Sequence, residues 1–485
     1  MDALLLGIRH CLNISEGASA EPDTKTKSIA VLPFVNMSSD PEQEYFVDGI
    51  TEDLIDRLSR YSSLRVIART SSFYFKNQTE DVREIGARLS VTHLVEGSVR
   101  RVGNKIRVTA QLVRTDDGGH EWSERYDREL EDVFTLQDEI TKEVTHRLTD
   151  LLIEPTATYH PIPEAYDEYL KGQTWLRKFS YLGGKRARPF FDRAIKADPS
   201  YAEAYAAAAS ASLMELLMGV EDESELLESA ADYIDKALTL DNHLASALLG
   251  KANISWSRFD NQGALDLLRD VLDREPDLYQ ALQTAGDLYG MAGRWDLAEQ
   301  VARKLVRLDP VNIGSYTILG WVSLVLGRLE EAQEAMNTVL SIEPEHTATR
   351  FNMLALMARQ GRINEALTFI ETCGLQECAT ACLVYAAAGR RDEVERVVAV
   401  LETHSGFNPW IAMGYALLGD LDGVLRSLKQ AIDNHVSLIF HLTGPFHECV
   451  DIDGAKLGLM FDSQEVQELL REANLDKESI RRLRI

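Results

Sequence analysis

Residue types that could bind a metal or act as nucleophiles are few in this chain and poorly spaced for it. Cys373, Cys378 and Cys382 lie at intervals of five and four, close enough to suggest a thiolate metal site. Tetrahedral zinc wants a CxxC pair completed by a second pair or by histidines, and neither is present near them. The three positions fall where helices are expected and read as buried small hydrophobes. His435, His441, His447 and Cys449 are similarly scattered and read the same way. Ser71 and Ser72 with His93 offer a hydroxyl and a base, but no nucleophile elbow or oxyanion motif surrounds them. Gly183-Gly184-Lys185 lacks the upstream glycine and the Ser or Thr of a phosphate-binding loop, so a turn between helices is the plainer reading. Glu42, Glu44 and Asp48 precede a helix and suit capping or solvation better than acid–base work. The expectation is a non-enzymatic chain with no metal and no cofactor.

Composition narrows the partners. A length of 485 residues exceeds what one hydrophobic core supports, so several domains are expected. A formal net charge of -26 repels phosphate backbones and anionic lipid heads, which disfavours direct nucleic-acid contact and favours basic or apolar partners. Five cysteines without a regular framework do not describe a disulfide scaffold. Met1 to Ile14 has an apolar stretch, but Asp2 opens it and Arg9 and His10 interrupt it, which reads as a cytoplasmic tail rather than a signal peptide. No later stretch reaches the roughly 20 apolar residues of a membrane span. The expected location is the cytoplasm rather than the periplasm.

Hydrophobic periodicity then supplies the elements. After a polar lead-in, Ile29 to Phe34 reads as a strand buried on both faces. Asp48 to Tyr61 carries Ile50, Leu54, Ile55 and Leu58 at helical spacing, with Thr51 available as its cap. A strand at Leu64 to Ala68, a helix at Asp81 to Leu89 and three strands at Thr92 to Arg100, Lys105 to Arg114 and Glu121 to Asp127 follow. Gly103-Asn104 and Asp116 to Gly119 supply the hairpin turns. A helix from Val133 to Leu152 completes a β-α-β-α-β-β-β-α unit. Pro155, Pro161 and Pro163 mark a linker, beyond which the pattern is helical.

One period governs the second half. Turn signals recur at Asp241-Asn242, Glu275-Pro276, Asp309-Pro310 and Glu343-Pro344, each 34 residues after the last. That is the tetratricopeptide period, and Gly286, Tyr289, Gly293, Ala298 and Pro310 stand at its consensus offsets. Downstream the period shortens, with Gly389 and Gly419 as turn markers and no secure register after about residue 372. The fold class is an α/β N-terminal domain with a mixed sheet, followed by an all-α tetratricopeptide repeat solenoid. The expected division is a tail at 1–27, an α/β domain at 28–152, a linker at 153–164, a solenoid at 165–443 and a capping segment at 444–485.

The first domain resembles the TolB amino-terminal-like (FlgO-like) domain of bacterial regulators, through IAVLPFVNMSSDPEQEYFVDGITEDLIDRLSR, LRVIARTSSFYFK and LVEGSVRRVGNKIRVTAQLV. The segment opening EAYDEYLKGQTWL resembles the repeat half that follows it in the same proteins. The resemblance implies a winged-helix DNA-binding domain of the CadC or ToxR sort, or a class III adenylate or guanylate cyclase domain, ahead of this unit. With 28 residues before Ile29, the expectation is that neither activity resides in this chain.

In tetratricopeptide arrays the first helix of each repeat lines the concave face. The 34-residue register places Leu249, Asn253 and Trp256 there, then Gln280, Gln283, Asp287 and Met291, then Thr317, Trp321 and Leu324, and finally Phe351 and Arg359. A clamp for a C-terminal carboxylate needs Lys and Asn at such positions; only Asn253 is present, and Asp287 would repel that ligand. The expected partner is a protein or peptide with apolar anchors and some basic character. Packing of Trp256 and Trp321 between repeats is the alternative role for those two rings. Two other functional readings stand beside it: the regulatory half of a transcriptional or cyclic-nucleotide system, and a small-molecule or envelope-component sensor in the α/β domain.

Overall fold

Ser28–Val31 (β1) is buried along its length, with Ile29, Ala30 and Val31 apolar, and it is an interior strand of the sheet for that reason. In the computed structural model, the described residues are 27–61, 63–149, 159–178, 181–217, 223–291, 293–403, 408–433, 461, 463–471, 476 and 479. Around β1 stand Val35–Asn36 (β2), Arg65–Val66 (β3), His93–Val102 (β4), Lys105–Arg114 (β5) and His120–Glu129 (β6). The strand order is β3-β1-β4-β5-β6, with β2 paired to β4. β1 pairs in parallel with both β3 and β4, whereas β4, β5 and β6 form an antiparallel meander. The sheet is mixed, as its sequence pattern implied.

Helices Glu44–Ser59 (α1) and Val133–Thr149 (α4) cover one face through Ile50, Leu54, Leu136, Ile140 and Val144. Val82–Leu89 (α3) belongs to a smaller core on the other side, with Ala30, Ile67, Phe75 and Leu94, while Arg69–Tyr74 (α2) packs Phe73 against the larger core. Neither β2 nor α2 is legible in the periodicity, because both are too short to show one.

Two expectations are corrected. Thr51 does not cap α1: it lies inside the helix, fully buried, where its hydroxyl donates to Val47 O and accepts from Phe34 N. The chain enters the helix instead through a short 3-10 turn, Pro41–Gln43, capped by Asp40. Gly183-Gly184-Lys185 is not a turn but sits within Tyr181–Ala197 (α6). A Cβ on Gly184 would stand 2.7 Å from the carbonyl of Ala211, so that glycine permits close helix packing.

Thirteen residues or so per helix, paired and stacked, make up the rest. Pro163–Leu176 (α5) and α6 lead, followed by Ala202–Leu217 (α7), Glu223–Leu240 (α8), Ala245–Ser257 (α9), Asn261–Arg274 (α10), Tyr279–Met291 (α11) and Trp295–Leu308 (α12). Ile313–Val325 (α13), Leu329–Ile342 (α14), Thr347–Arg359 (α15) and Ile363–Cys373 (α16) continue the array. Helices α8, α10, α12 and α14 each stop one residue before the acidic turn signal read from the sequence. Gly293, Gly327 and Gly361 occupy the left-handed region at φ 69°, 76° and 73°.

Beyond α16 follow Ala381–Ala387 (α17), Arg391–Leu401 (α18), Asn408–Leu418 (α19) and Leu421–Asp433 (α20). Cys382 is part of the apolar core there, with Cys373 and Cys378 packed against it. Burial pushes the thiols of Cys378 and Cys382 up to about 11 and about 12, so they stay protonated at neutral pH. Of the expected terminal cap, Gln464–Arg471 (α21) is described. The N-terminal tail to residue 26 and His435, His441, His447 and Cys449 lie outside the described residues.

Candidate interaction chamber

Among the described residues the two units meet at two seams. At the first seam α5 lies on α1, and Tyr166 and Leu170 enter the α/β core beside Phe46 and Phe134. Gly49 makes room for them: a Cβ there would stand 2.5 Å from the Leu170 side chain. Polar contacts surround this apolar centre. Tyr45 donates to Asp167 at 2.7 Å, and Arg101 pairs with the same carboxylate at 2.9 Å. Tyr166 donates to Asp53, which also accepts from Gln137 at 2.9 Å. Glu52 receives both Arg69 and Arg177. The first repeat helix is therefore structurally part of the α/β core.

The second seam lies far along the solenoid, where α12 turns into α13. Ala68 N donates to Leu308 O at 2.9 Å, and Ser71 N donates to Asp309 Oδ1 at 2.8 Å. In return Val311 N donates to Ser71 Oγ at 2.9 Å. Arg65 reaches the carbonyl of Arg307 at 3.0 Å. Ser71 and Asp309 are both fully buried. Ser71 is thus engaged by the solenoid, while His93 contacts Thr92 and Glu121, so the hydroxyl and the imidazole serve different partners.

Between the seams the α/β domain faces the repeat helices across a chamber of about 2270 Å³ that is open to solvent. One wall is α1 and α2, with Glu52, Asp56, Arg60 and Arg69; the other is built from α5, α7, α9 and α11 and the turns beside them. Among the expected groove residues, Leu249, Asn253, Trp256, Gln280 and Asp287 line this space. Leu249 and Trp256 are largely buried, whereas Asn253, Gln280 and Asp287 are exposed to it. Gln283 is half-buried and away from the lining; the Met291 side chain lies outside the described residues.

The remaining candidates sit beyond the second seam. Trp321 stands edge-on to Trp295 with ring centres 5.0 Å apart, and a Cβ on Gly290 would meet its ring at 2.8 Å. Leu324 is buried, and its carbonyl accepts from Arg359. Thr317 donates to Ile313 O at 2.8 Å, and Phe351 packs against the core around Ile370. These five are not brought to the chamber.

Carboxylates outnumber arginines along the wall. Burial alone pushes Asp287 up to about 6: the cavity that its side chain faces is ringed by protein, and Asp287 has no hydrogen-bond or ion-pair partner among the described residues. Across from α9 and α11, Arg60 is held charged first by Asp56, 2.8 Å away, and then by Glu275 and Glu203. Burial raises both Glu203 and Glu275, and the neighbouring charges of Asp56 and Asp241 add to it. Among the described residues no set of side chains is arranged to hold a metal ion. Sequence reasoning missed Asp56, Arg60 and Glu203 as site residues. Asp241 and Glu275 were in view only as turn markers, although their 34-residue spacing is what puts them in one row.

Two family models agree with this architecture. Residues 25–143 match the family described as HilA/YgeH-like transcriptional regulator, second domain, and residues 313–346 match the tetratricopeptide repeat. The chain is 47% identical over 184 residues to a Rhizobium meliloti (strain 1021) protein named "Putative adenylate cyclase 3", covering 37% of this chain and 31% of that one. It is 20% identical over 359 residues to the transcriptional regulator HilA of Salmonella typhimurium, covering 71% of this chain and 56% of that regulator. The chain thus spans about a third and about half of these relatives. Among solved structures, the tetratricopeptide protein YrrB aligns at 22% identity with a TM-score of 0.29, over 38% of this chain and 90% of that one. PilF of Pseudomonas aeruginosa aligns at 17% identity with a TM-score of 0.33, over 57% of this chain and 98% of that one. Among the described residues no helix is long and apolar enough to cross a membrane.

Proposed function

We propose that this chain is a non-enzymatic interaction module that holds a protein segment with apolar anchors and basic residues in the chamber. The observation that carries this reading is the chamber wall itself. Asp287, Asp241, Glu203 and Glu275 crowd one side, the largely buried Trp256 and Leu249 lie among them, and nine carboxylates stand against six arginines in the lining. An unpaired carboxylate ringed by protein is better satisfied by a cationic side chain than by anything acidic.

Two fluorescein-labelled peptides test this, one alternating Leu with Arg and one alternating Leu with Glu. By fluorescence anisotropy, the Leu/Arg peptide is expected to bind and the Leu/Glu peptide to fail. Asp287→Lys is expected to weaken the Leu/Arg complex about tenfold, the scale of one lost desolvated charge pair. Equal affinity for both peptides would remove the charge reading.

The relatives favour a setting for this module. Their names attach to a cyclase and to a transcriptional regulator, and this chain matches only part of each. We read the chain as a regulatory or sensing part of such a system, with an α/β unit of the TolB amino-terminal kind at 28–152, a solenoid at 165–443, and a cytoplasmic location. Co-expression with a cyclase or winged-helix partner, followed by a pull-down on the full chain, tests that setting; no complex with either would count against it.

A further inference from the structure

Resting on the reading of the chamber as a binding site, we propose that the α/β domain is a latch over it, hinged at α1–α5 and fastened by the Ser71–Asp309 clasp. The two seams differ in physical kind. At the first, Tyr166 and Leu170 are inside the α/β core, and removing them would expose large apolar surface. At the second, no residue of 307–311 enters either core of the α/β domain; Leu308 packs with the solenoid. Among the described residues that seam is joined by hydrogen bonds and shares no apolar core, and water replaces such bonds at small net cost when the seam parts.

The second seam also carries opposing features. Arg65 and Arg307 are brought together there, and burial followed by the Arg307 charge weakens the hold of Arg65 on its proton. Ser72 Oγ is buried beside Ser71 without a hydrogen-bond partner among the described residues. α2 has no side-chain cap of its own, so Asp309, 238 residues away, supplies that acceptor only while the seam is closed. An apolar hinge and a polar, partly frustrated clasp at opposite ends of one chamber are the parts of a gate. Because the closed seam restricts entry of a chain segment, the apparent affinity for a ligand scales with the open fraction.

The test uses the full chain and three variants. Asp309→Ala removes the acceptor from the solenoid side. Ser71→Asp places a second carboxylate against Asp309 from the α/β side and leaves the solenoid untouched. Asp309→Asn keeps an oxygen that can accept from Ser71 N. The first two are expected to enlarge the radius of gyration in X-ray scattering and to speed hydrogen exchange in α9 and α11 about tenfold, with helicity unchanged. The Leu/Arg peptide should bind them about tenfold more tightly, while Asp309→Asn stays near wild type.

Unchanged scattering and exchange in both opening variants would overturn the latch. So would a loss of helicity in both, which would make the clasp a structural seam. If both variants open but the peptide binds neither them nor the wild type, the latch stands and the binding reading falls. If the peptide binds the wild type and all variants alike without opening, the reverse holds.

Discussion

Phe259 has φ 60°, in the left-handed region that its equivalents 34 and 68 residues later, Gly293 and Gly327, occupy without strain. Its ring is 7% exposed and belongs to the solenoid core, so packing offsets the backbone cost. Gly327 has no such compensation, and Gly327→Ala is expected to lower stability by about 1 kcal/mol in urea unfolding. Asp53 poses a different residue-scale question. Burial raises it from 3.8 to about 6, despite hydrogen bonds from Tyr166 and Gln137. Its folded pKa thus exceeds its unfolded one, so the contribution of Asp53 to stability is fully present below about pH 4 and is lost as pH rises through about 6. Asp53→Asn should therefore gain about 1 kcal/mol over wild type above pH 6, an advantage that vanishes at pH 4. Thermal unfolding across that range measures it; a variant equally shifted at both ends would show that Asp53 is not the titrating group.

Among the elements, the pairing of α1 with α5 decides how the molecule is assembled. α1 approaches α5 at Gly49, where a Cβ would overlap Leu170. Gly49→Val must push α5 outward or rotate Leu170, and overpacking of this kind costs about 1–3 kcal/mol. The expected result is a lowered melting temperature, together with faster exchange in α5, while α9 to α12 keep their protection. Unaltered exchange in α5 would mean that the contact is soft. α2 teaches the complementary lesson. It is one short, uncapped turn of helix, yet it carries the contacts to Leu308, Asp309 and Val311.

For the whole molecule, the shared core means that the α/β unit and the first repeat should fold together. A fragment of residues 28–149 lacks Tyr166 and Leu170, both about 2% exposed in the intact chain. It should be less stable than residues 28–178 by about 3–5 kcal/mol, the burial of two large side chains. Urea titration of the two fragments is the comparison, and equal midpoints would show that α5 is dispensable to that core.

The repeat period, the mixed sheet and the cores of α1 and α4 were legible in the sequence, because each is written in local spacing: 34 residues per repeat, two per strand step, 3.6 per helical turn. Of the chamber, the sequence reached one wall. Asn253, Gln280 and Asp287 could be placed by register, since a solenoid repeats its own geometry. The opposite wall could not be: Asp56, Arg60 and Arg69 belong to another unit, and only the folded chain brings them across. Ser71 and Asp309, separated by 238 residues, show the reason most plainly. Periodicity determines which face a residue takes on its own element, but tertiary packing alone decides what stands opposite, and here that choice set the α/β domain across the groove.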